Sequence, residues 1–333
     1  MVNNFIPSYK KLSDSDFEKR IDIAYENLKA CTCCPNECKV NRLEGETSLC
    51  FSTDKPIVSS YTLHFGEEPL ISGTRGAGNI FFGNCNLKCV YCQNFVISQN
   101  PKSEINHQIS VQELADIMLE LQSQKCHNIG LVSPSHFAAP IIQAIYIASK
   151  KGLNIPVIYN SNGYDSVDTL KLFNNIIDIY LPDFKYGDNE VAKNYSKVDN
   201  YFEFAKSAII EMYNQVGSEL VVENGVVMRG LIIRHLILPN GLADTEKIFK
   251  FISEEVDRKI SISLMSQYFP TNKAHNHILL SRTISYNEYL KAIELLDKYG
   301  LENGWVQEYD SSESYRPFFE KSRTDPFKNK NNY

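Results

Sequence analysis

Short runs of β-branched and aromatic residues alternate with segments of helical apolar spacing from residue 79 onward. This alternation is typical of repeated βα units that build a parallel sheet. The predicted strands cover residues 79–83, 129–132, 156–160, 176–181, 230–238 and 260–265. Six such units predict an α/β fold with a partial (β/α)6 TIM-like barrel.

The helical patterns fill the intervals between these strands. They cover residues 111–124, 140–150, 167–173, 201–216 and 245–256, with a further helix at 286–299 and a strand-like run at 305–309. An amphipathic stretch at 14–29 and a cysteine-rich segment precede the first strand. We expect three parts: an N-terminal helix with a cysteine-rich metal-binding module (1–60), the partial barrel (61–275) and a C-terminal extension (276–333).

Composition narrows the function classes. The formal net charge is −6, whereas nucleic-acid-binding proteins usually carry an excess of basic residues. Apolar runs such as 230–238 contain polar residues and stay short of the roughly 20 residues that a membrane helix needs. The N-terminus shows no signal-peptide pattern. We therefore expect a cytoplasmic protein with reduced thiols, and neither a nucleic-acid nor a membrane partner.

The cysteines are concentrated in one part of the chain. Eight of the nine lie between Cys31 and Cys92, and only Cys126 lies outside. Because disulfides are rare in a reducing compartment, clustered thiols at short spacing indicate metal binding.

One cysteine set directly follows a predicted strand. Cys85, Cys89 and Cys92 form C-x3-C-x2-C on a short loop, where three thiolates can converge on one iron-sulfur cluster. A four-iron cluster with three protein ligands leaves one iron open, and that iron can chelate the amine and carboxylate of an amino acid. A zinc knuckle completed by His64 or another cysteine is the alternative.

This motif, with Tyr91 before the last cysteine, resembles that of the radical S-adenosylmethionine (SAM) superfamily. Segments 61–69, 78–83 and 92–94 are similar to pyruvate formate-lyase activating enzyme-like proteins of the PflX type. The resemblance covers the chain from Cys31 to about Asp310. It implies a 4Fe-4S cluster that binds SAM and donates the electron that cleaves it to a deoxyadenosyl radical, which then abstracts a hydrogen atom.

The resemblance also implies roles for polar residues after the strands. Asn160 and Asn162 match an asparagine-glycine motif, and Asp183 with Lys185 matches an aspartate-x-lysine pair, both expected beside SAM. A structural ion pair is the alternative for Asp183 and Lys185.

Two further positions carry implied cofactor contacts. Arg234 resembles a basic position near the SAM carboxylate, and Gln267 lies in a motif expected close to the adenine. A helix cap is the alternative for Arg234. No residue is assigned as catalytic.

The chain departs from the superfamily after its second predicted strand. Many relatives have Gly-Gly-Glu there to hold the SAM amine, whereas this chain has Ser-Pro-Ser-His at 133–136. We expect the hydroxyls of Ser133 and Ser135 to accept hydrogen bonds from the ammonium group. His136 is equally compatible with an active-site role and with a hydrogen-bonded loop position.

A second cysteine set lies in the N-terminal module. Cys31, Cys34, Cys38 and Cys50 form C-x2-C-x3-C-x11-C, and Cys33 is treated as a spare thiol. Four soft ligands suit either a structural zinc ion or a second iron-sulfur cluster that relays electrons. Unliganded thiols are the third alternative, and the spacing does not choose among them.

The expected activity is therefore radical SAM chemistry. The resemblance implies a flavodoxin- or ferredoxin-like electron donor and an activase-like reaction on a glycyl radical enzyme or a peptide. The same residues fit an enzyme acting on a small metabolite. They also fit a non-catalytic iron-sulfur carrier or scaffold, which would neither bind nor cleave SAM.

Overall fold

Strands and helices alternate along most of the chain, as the sequence predicts. The computed structural model describes residues 5–313 and 316–327. Within them the strands are β1 Val58–His64, β2 Ala77–Phe82, β3 Ile129–Val132, β4 Val157–Ser161, β5 Ile179–Pro182, β6 Val221–Glu223, β7 Val226–Leu236, β8 Ser261–Met265 and β9 Gly304–Val306.

The helices include each one that the sequence predicts. They are α1 Asp14–Glu26, α2 Pro69–Ser72, α3 Phe95–Ser98, α4 Pro101–Glu104, α5 Val111–Ser123, α6 Ala138–Lys150, α7 Val167–Leu172, α8 Asn189–Ser196, α9 Tyr201–Val216, α10 Thr245–Phe251 and α11 Tyr286–Tyr299. Capping boxes formed by Ser110 with Glu113 and by Ser285 with Glu288 start α5 and α11. A π-helical turn, Ile252–Val256, extends α10.

The sheet confirms the predicted α/β class. Its order is β1-β2-β3-β4-β5-β7-β8-β9, and the pairs from β2 through β9 along this path are parallel. Strand β1 adds an antiparallel edge beside β2, and β6 forms a hairpin with the first part of β7. The parallel strands thus form the predicted partial barrel, with their carboxyl ends on one side.

Burial explains why the parallel strands could be recognised. Every residue of β2 and β8 is buried, because parallel strands are covered on one face by helices and on the other by the barrel interior. The main core joins those strands to the apolar sides of α5, α6 and α9.

No helix among residues 5–313 and 316–327 is both long and apolar enough to cross a membrane.

Candidate functional site

A cavity of about 290 Å³ lies at the carboxyl ends of the parallel strands. Its volume is at the lower end of small-molecule sites, which are roughly 300–1,000 Å³. The structure brings to its wall every predicted residue of the barrel site except Ser135. These residues are Cys85, Cys89, Cys92, Ser133, Asn160, Asn162, Asp183, Lys185, Arg234 and Gln267.

The cysteine loop after β2 is fixed by the end of α8. Lys88 N donates to Ser196 O at 2.9 Å, and Val90 N donates to Tyr195 O at 2.8 Å. The Ser196 hydroxyl donates to Cys89 Sγ at 2.9 Å. Burial raises the pKa of the Cys89 thiol to about 12, so a metal must displace its proton.

The other two thiols have their own polar neighbours. Asn162 Nδ2 lies 3.4 Å from Cys85 Sγ and 2.7 Å from Asn86 Oδ1, while its own Oδ1 accepts from Tyr164 N at 3.0 Å. Cys92 Sγ lies 3.2 Å from the Ser98 hydroxyl. Each thiol is therefore positioned by a hydrogen bond that would tune a bound cluster.

These three cysteines suit a 4Fe-4S cluster by their chemistry and placement. They are soft ligands on one short loop, and all three face the same cavity. Each thiolate in such a cluster binds a different iron, so the three sulfurs need not meet at one ion. The polar wall opposite them suits the charged methionine part of SAM.

Asp183 and Lys185 form an ion pair on that wall. Lys185 Nζ lies 2.5 Å from Asp183 Oδ2. Burial would lower the pKa of Lys185, but the charges of Asp183 and the nearby Cys89 thiol raise it above its ordinary value. The Tyr201 hydroxyl accepts from Lys185 N at 2.9 Å and contacts Asp183 O, which fixes this turn. The pair is thus both structural and exposed to the cavity.

Arg234 is held by two glutamates whose role the sequence analysis missed. Its Nε and Nη2 donate to Glu68 at 2.7 and 2.6 Å, and Nη2 also contacts Glu67. Asn79 Nδ2 donates to the other oxygen of Glu67 at 2.7 Å. Burial would raise the pKa of Glu67, but Arg234 and His64 lower it to about 2. Both glutamates belong to segment 61–69, which is similar to PflX-type proteins but has no feature in the sequence that indicates a pairing with Arg234.

The two serines after β3 point to different places. Ser133, whose φ is +59°, lies in the cavity wall and donates its backbone N–H to Asn160 O at 2.9 Å. Ser135 is buried outside that wall and donates to Asp165 Oδ1 at 2.5 Å. Asp165 also accepts from Ser161 and Tyr159, so Ser135 belongs to a buried network beneath the site.

The C-terminal segment 316–327 borders the same cavity, which the sequence analysis did not anticipate. Pro317 and Phe327 line it, and Phe81 contacts both Phe319 and Phe327 with ring centroids 5.3 and 6.0 Å apart. Trp305 on β9 adds another aromatic side chain to the wall.

The N-terminal cysteines surround a second, much smaller cavity. Its lining includes all five thiols of Cys31, Cys33, Cys34, Cys38 and Cys50, so Cys33 is not set apart from the predicted four. Arg42 is buried here, with Nη1 3.9 Å from Cys31 Sγ and 3.8 Å from Cys33 Sγ. A hydrogen bond from Cys33, together with the charge of Arg42, lowers the pKa of Cys31 to about 5.

The two cysteine sets are adjacent in space. Asn36 Nδ2 lies 3.6 Å from Cys34 Sγ and donates to Asn86 O at 3.0 Å. Asn84 Nδ2 donates to Phe51 O at 3.2 Å. The N-terminal module therefore contacts the residues that flank Cys85.

Comparison with known proteins identifies the family. Residues 79–236 match the family model described as the Radical SAM superfamily. The chain is 36% identical over 290 residues to the uncharacterized protein MJ0674 of Methanocaldococcus jannaschii, covering 85% of this chain and 79% of that protein.

Two solved structures are similar at 12% sequence identity. HydG, a maturase of the FeFe hydrogenase, has a TM-score of 0.47 over 90% of this chain and 64% of its own. Methylornithine synthase (PylB) has a TM-score of 0.46 over 95% of this chain and 87% of its own.

The matched segment contains the three-cysteine loop and most of the cavity wall, and the archaeal relative aligns along most of the chain. This chain belongs to the radical SAM superfamily.

Proposed function

We propose that this chain is a radical SAM enzyme of the PflX type, with an activating-enzyme-like reaction. Cys85, Cys89 and Cys92 would hold the 4Fe-4S cluster, and SAM would bind in the adjoining cavity. When bound, the cluster supplies an electron and SAM supplies the group that abstracts hydrogen. The observation that carries the proposal is that these three thiols and the Asp183–Lys185 pair line one cavity.

The charges of the cavity wall favour a cationic ligand. Three carboxylates, from Glu67, Glu68 and Asp183, face two cations, from Lys185 and Arg234. SAM carries an ammonium, a sulfonium and a carboxylate, which gives a net positive charge. A wall with excess carboxylate attracts such a ligand and still offers Lys185 to its carboxylate.

Polar groups around the wall would then orient the ligand. The hydroxyl of Ser133, which lines the cavity, would accept from the ammonium group, whereas Ser135 would act only through the network around Asp165. Asn160 and Gln267 lie on the wall and would contact the nucleoside part. Since Arg234 already donates to two glutamates, its contribution to SAM binding would be mainly electrostatic.

The activase-like reaction would take a hydrogen from a glycine of a glycyl radical enzyme. The similarity of segment 61–69 to PflX-type proteins supports this reaction. The similarity concerns the site itself, since this segment supplies Glu67 and Glu68 to the cavity. A flavodoxin- or ferredoxin-like protein would be the electron donor.

A small metabolite or short peptide is the second candidate substrate. The C-terminal segment favours this candidate. Pro317 and Phe327 of that segment line the cavity, so they would restrict the access of a large protein substrate.

We also propose that the N-terminal module, residues 1–60, binds a metal, either zinc or a second iron-sulfur cluster. Five thiols around one small cavity support this assignment. Thiols at both cysteine sets must stay reduced to bind metal, which supports a cytoplasmic location.

The test of SAM cleavage is anaerobic reconstitution with iron and sulfide, followed by dithionite and SAM. We expect deoxyadenosine and methionine by chromatography, and their loss in Cys89→Ala. A protein that binds iron stoichiometrically but yields no product with dithionite or with reduced flavodoxin would instead be an iron-sulfur carrier.

The substrate class needs a separate experiment. Incubation of the reduced enzyme and SAM with candidate glycyl radical enzymes should give a glycyl radical signal by electron paramagnetic resonance. Absence of that signal, with deoxyadenosine formation stimulated by a small-molecule fraction, would favour the metabolite candidate.

A further inference from the structure

The ring of His136 has one nitrogen with a partner and one without. Nε2 lies 3.0 Å from Gly83 O, and the residue is 1% exposed. Nδ1 is buried and has no hydrogen-bond partner among the described residues. Because a carbonyl oxygen only accepts, Nε2 carries the proton and Nδ1 presents a lone pair. A buried lone pair without a donor needs an explanation.

The surroundings of His136 supply one. His136 lines the small cavity that the five N-terminal thiols surround. That cavity measures about 10 Å³, close to the roughly 10–15 Å³ that a single water molecule needs. With the side chains in these positions, the cavity has the size of one water molecule or one ion.

We propose that His136 Nδ1 and three of these thiols bind a single zinc ion. Three cysteines and one histidine are a common ligand set of closed, structural zinc sites. Zinc-binding histidines almost always donate their second N–H to a carbonyl or carboxylate, and Nε2 of His136 is paired in this way with Gly83 O.

Charge balance supports the same ligand set. Three thiolates, one neutral histidine and Zn²⁺ have a net charge of −1. The guanidinium of Arg42, buried beside Cys31 and Cys33, neutralises it. Four thiolates around Zn²⁺ would leave one uncompensated negative charge in the interior, which is unfavourable.

Binding requires the thiols to change position. As placed, no three His, Cys, Asp or Glu side chains of the described residues converge as ligands of one ion. A cysteine sulfur is positioned by the single torsion χ1, so a change of rotamer is the movement that would bring thiols of one cavity to a shared ion.

The zinc ion would also stabilise the loop that contains Cys85, Cys89 and Cys92. His136 holds Gly83, and Asn36, between two of the cysteines, holds Asn86. Both contacts flank Cys85, the first predicted ligand of the 4Fe-4S cluster. This inference rests on the proposed function, in which the N-terminal module binds a metal. It identifies that metal as zinc and adds His136 as a ligand.

The test is the metal content of the full chain after anaerobic reconstitution, by mass spectrometry of iron and zinc. We expect about four iron atoms and about one zinc ion per chain. His136→Leu should lose zinc, with at least tenfold weaker retention against a chelator. His136→Cys, which replaces one zinc ligand by another, should keep about one zinc ion, bound more weakly than in the wild type because the added thiolate is uncompensated. His127→Leu, a control histidine paired with Arg75, should also keep it.

Three results would overturn the proposal: about eight iron atoms without zinc in the wild type, full zinc retention in His136→Leu, or a folded His136→Cys protein without zinc. Because zinc is counted separately from iron, failure of SAM cleavage leaves this test intact. Folding of each variant is checked by circular dichroism, and His136→Cys decides the outcome if His136→Leu does not fold.

Discussion

Arg234 binds Glu68 through two parallel hydrogen bonds inside the cavity, from Nε to Oε1 at 2.7 Å and from Nη2 to Oε2 at 2.6 Å. Arg234 lies on β7 and Glu68 lies between β1 and α2, so the pair connects distant parts of the chain. Bidentate pairs between arginine and carboxylate are among the most geometrically specific contacts in proteins. This pair, with Glu67, therefore sets the shape and charge of one side of the site.

Replacement of Arg234 by methionine should destabilise the protein strongly. It leaves the carboxylates of Glu67 and Glu68 buried together without the guanidinium that both of them contact. We expect the free energy of unfolding to fall by about 3–5 kcal/mol at pH 7, as for other broken buried ion pairs. Urea unfolding of the metal-free protein measures this difference, and a change below about 1 kcal/mol would show that the pair contributes little.

The same variant should reveal a dependence on pH. The pKa of Glu67 is about 2 in the folded protein, below its ordinary value of 4.5. A depressed folded-state pKa gives stability that is present above pH 4.5 and lost as the pH falls towards 2. Arg234→Met lacks this contribution, so its difference from the wild type should be largest at neutral pH and shrink below pH 4.5. A difference that stays constant between pH 7 and pH 3 would contradict the assignment.

Gly163 should tolerate no side chain, because it sits against the Asp183 turn. A Cβ atom there would lie 2.5 Å from Asp183 O and 3.0 Å from the Tyr201 hydroxyl. Gly217 has the same φ of +78° but open space around it. Gly217→Ala should therefore cost only the backbone strain, about 1–3 kcal/mol.

Gly163→Ala should lower the free energy of unfolding by more than Gly217→Ala does, and it should displace Asp183. We expect SAM affinity to fall by about tenfold or more, equivalent to roughly 1.4 kcal/mol, in Gly163→Ala but not in Gly217→Ala. Equilibrium binding and urea unfolding of both variants measure the two effects. Equal stability and equal SAM affinity in the two variants would exclude this role for Gly163.

Asn162 should tune the reduction potential of the cluster through its contact with Cys85. Hydrogen bonds to cluster sulfurs raise the potential, and negative charge nearby lowers it. The midpoint potential should therefore become more negative in the order wild type, Asn162→Ala, Asn162→Asp. Redox titration monitored by electron paramagnetic resonance gives these values at equal iron content.

Asn160 provides the control for this series. It lines the same cavity, and no hydrogen bond joins its side chain to the three thiols in the described structure. Asn160→Ala should leave the midpoint potential unchanged even where it weakens SAM binding. A shift in Asn160→Ala as large as that in Asn162→Ala would mean that cavity polarity, not the sulfur contact, controls the potential.

The sequence predicts the parallel barrel because strands buried on both faces leave continuous apolar runs, as in β5. It does not predict β1, because Ser59, Ser60 and Thr62 interrupt the apolar pattern of this antiparallel edge strand. The short helix α8 was also missed. Strand boundaries shift by up to a few residues where local pattern alone defines them.

The features of the site that the sequence does not predict depend on contacts between residues far apart in the chain. Motif spacing brings the three cysteines together, since they lie within eight residues of one loop. Arg234 and Glu68 are 166 residues apart, and an acidic pair in a loop otherwise indicates a solvated turn. Likewise, only the fold shows that Ser135 turns to Asp165 while Ser133 faces the cavity.

The C-terminal segment is joined to the barrel by an ion pair between the partly exposed Arg323 and the buried Glu104. Glu104, which is fully buried, accepts from Arg323 Nη2 at 2.8 Å and Nη1 at 3.1 Å, and also contacts the Ser59 hydroxyl. The Ser60 hydroxyl donates to Arg323 O. Because Phe327 of this segment lines the cavity, the ion pair links stability to the shape of the site.

Arg323→Met should therefore lower the free energy of unfolding by about 3–5 kcal/mol, since it leaves the carboxylate of Glu104 buried without a cation. Adding Glu104→Gln removes that charge, so the double variant should be more stable than Arg323→Met alone. The double-mutant cycle should give a coupling energy of about 1–3 kcal/mol. In parallel, Arg323→Met should speed limited proteolysis within 316–327 and change SAM affinity. Additive losses in the cycle, with unchanged proteolysis, would mean that the segment is held by its phenylalanines on Phe81 rather than by the ion pair.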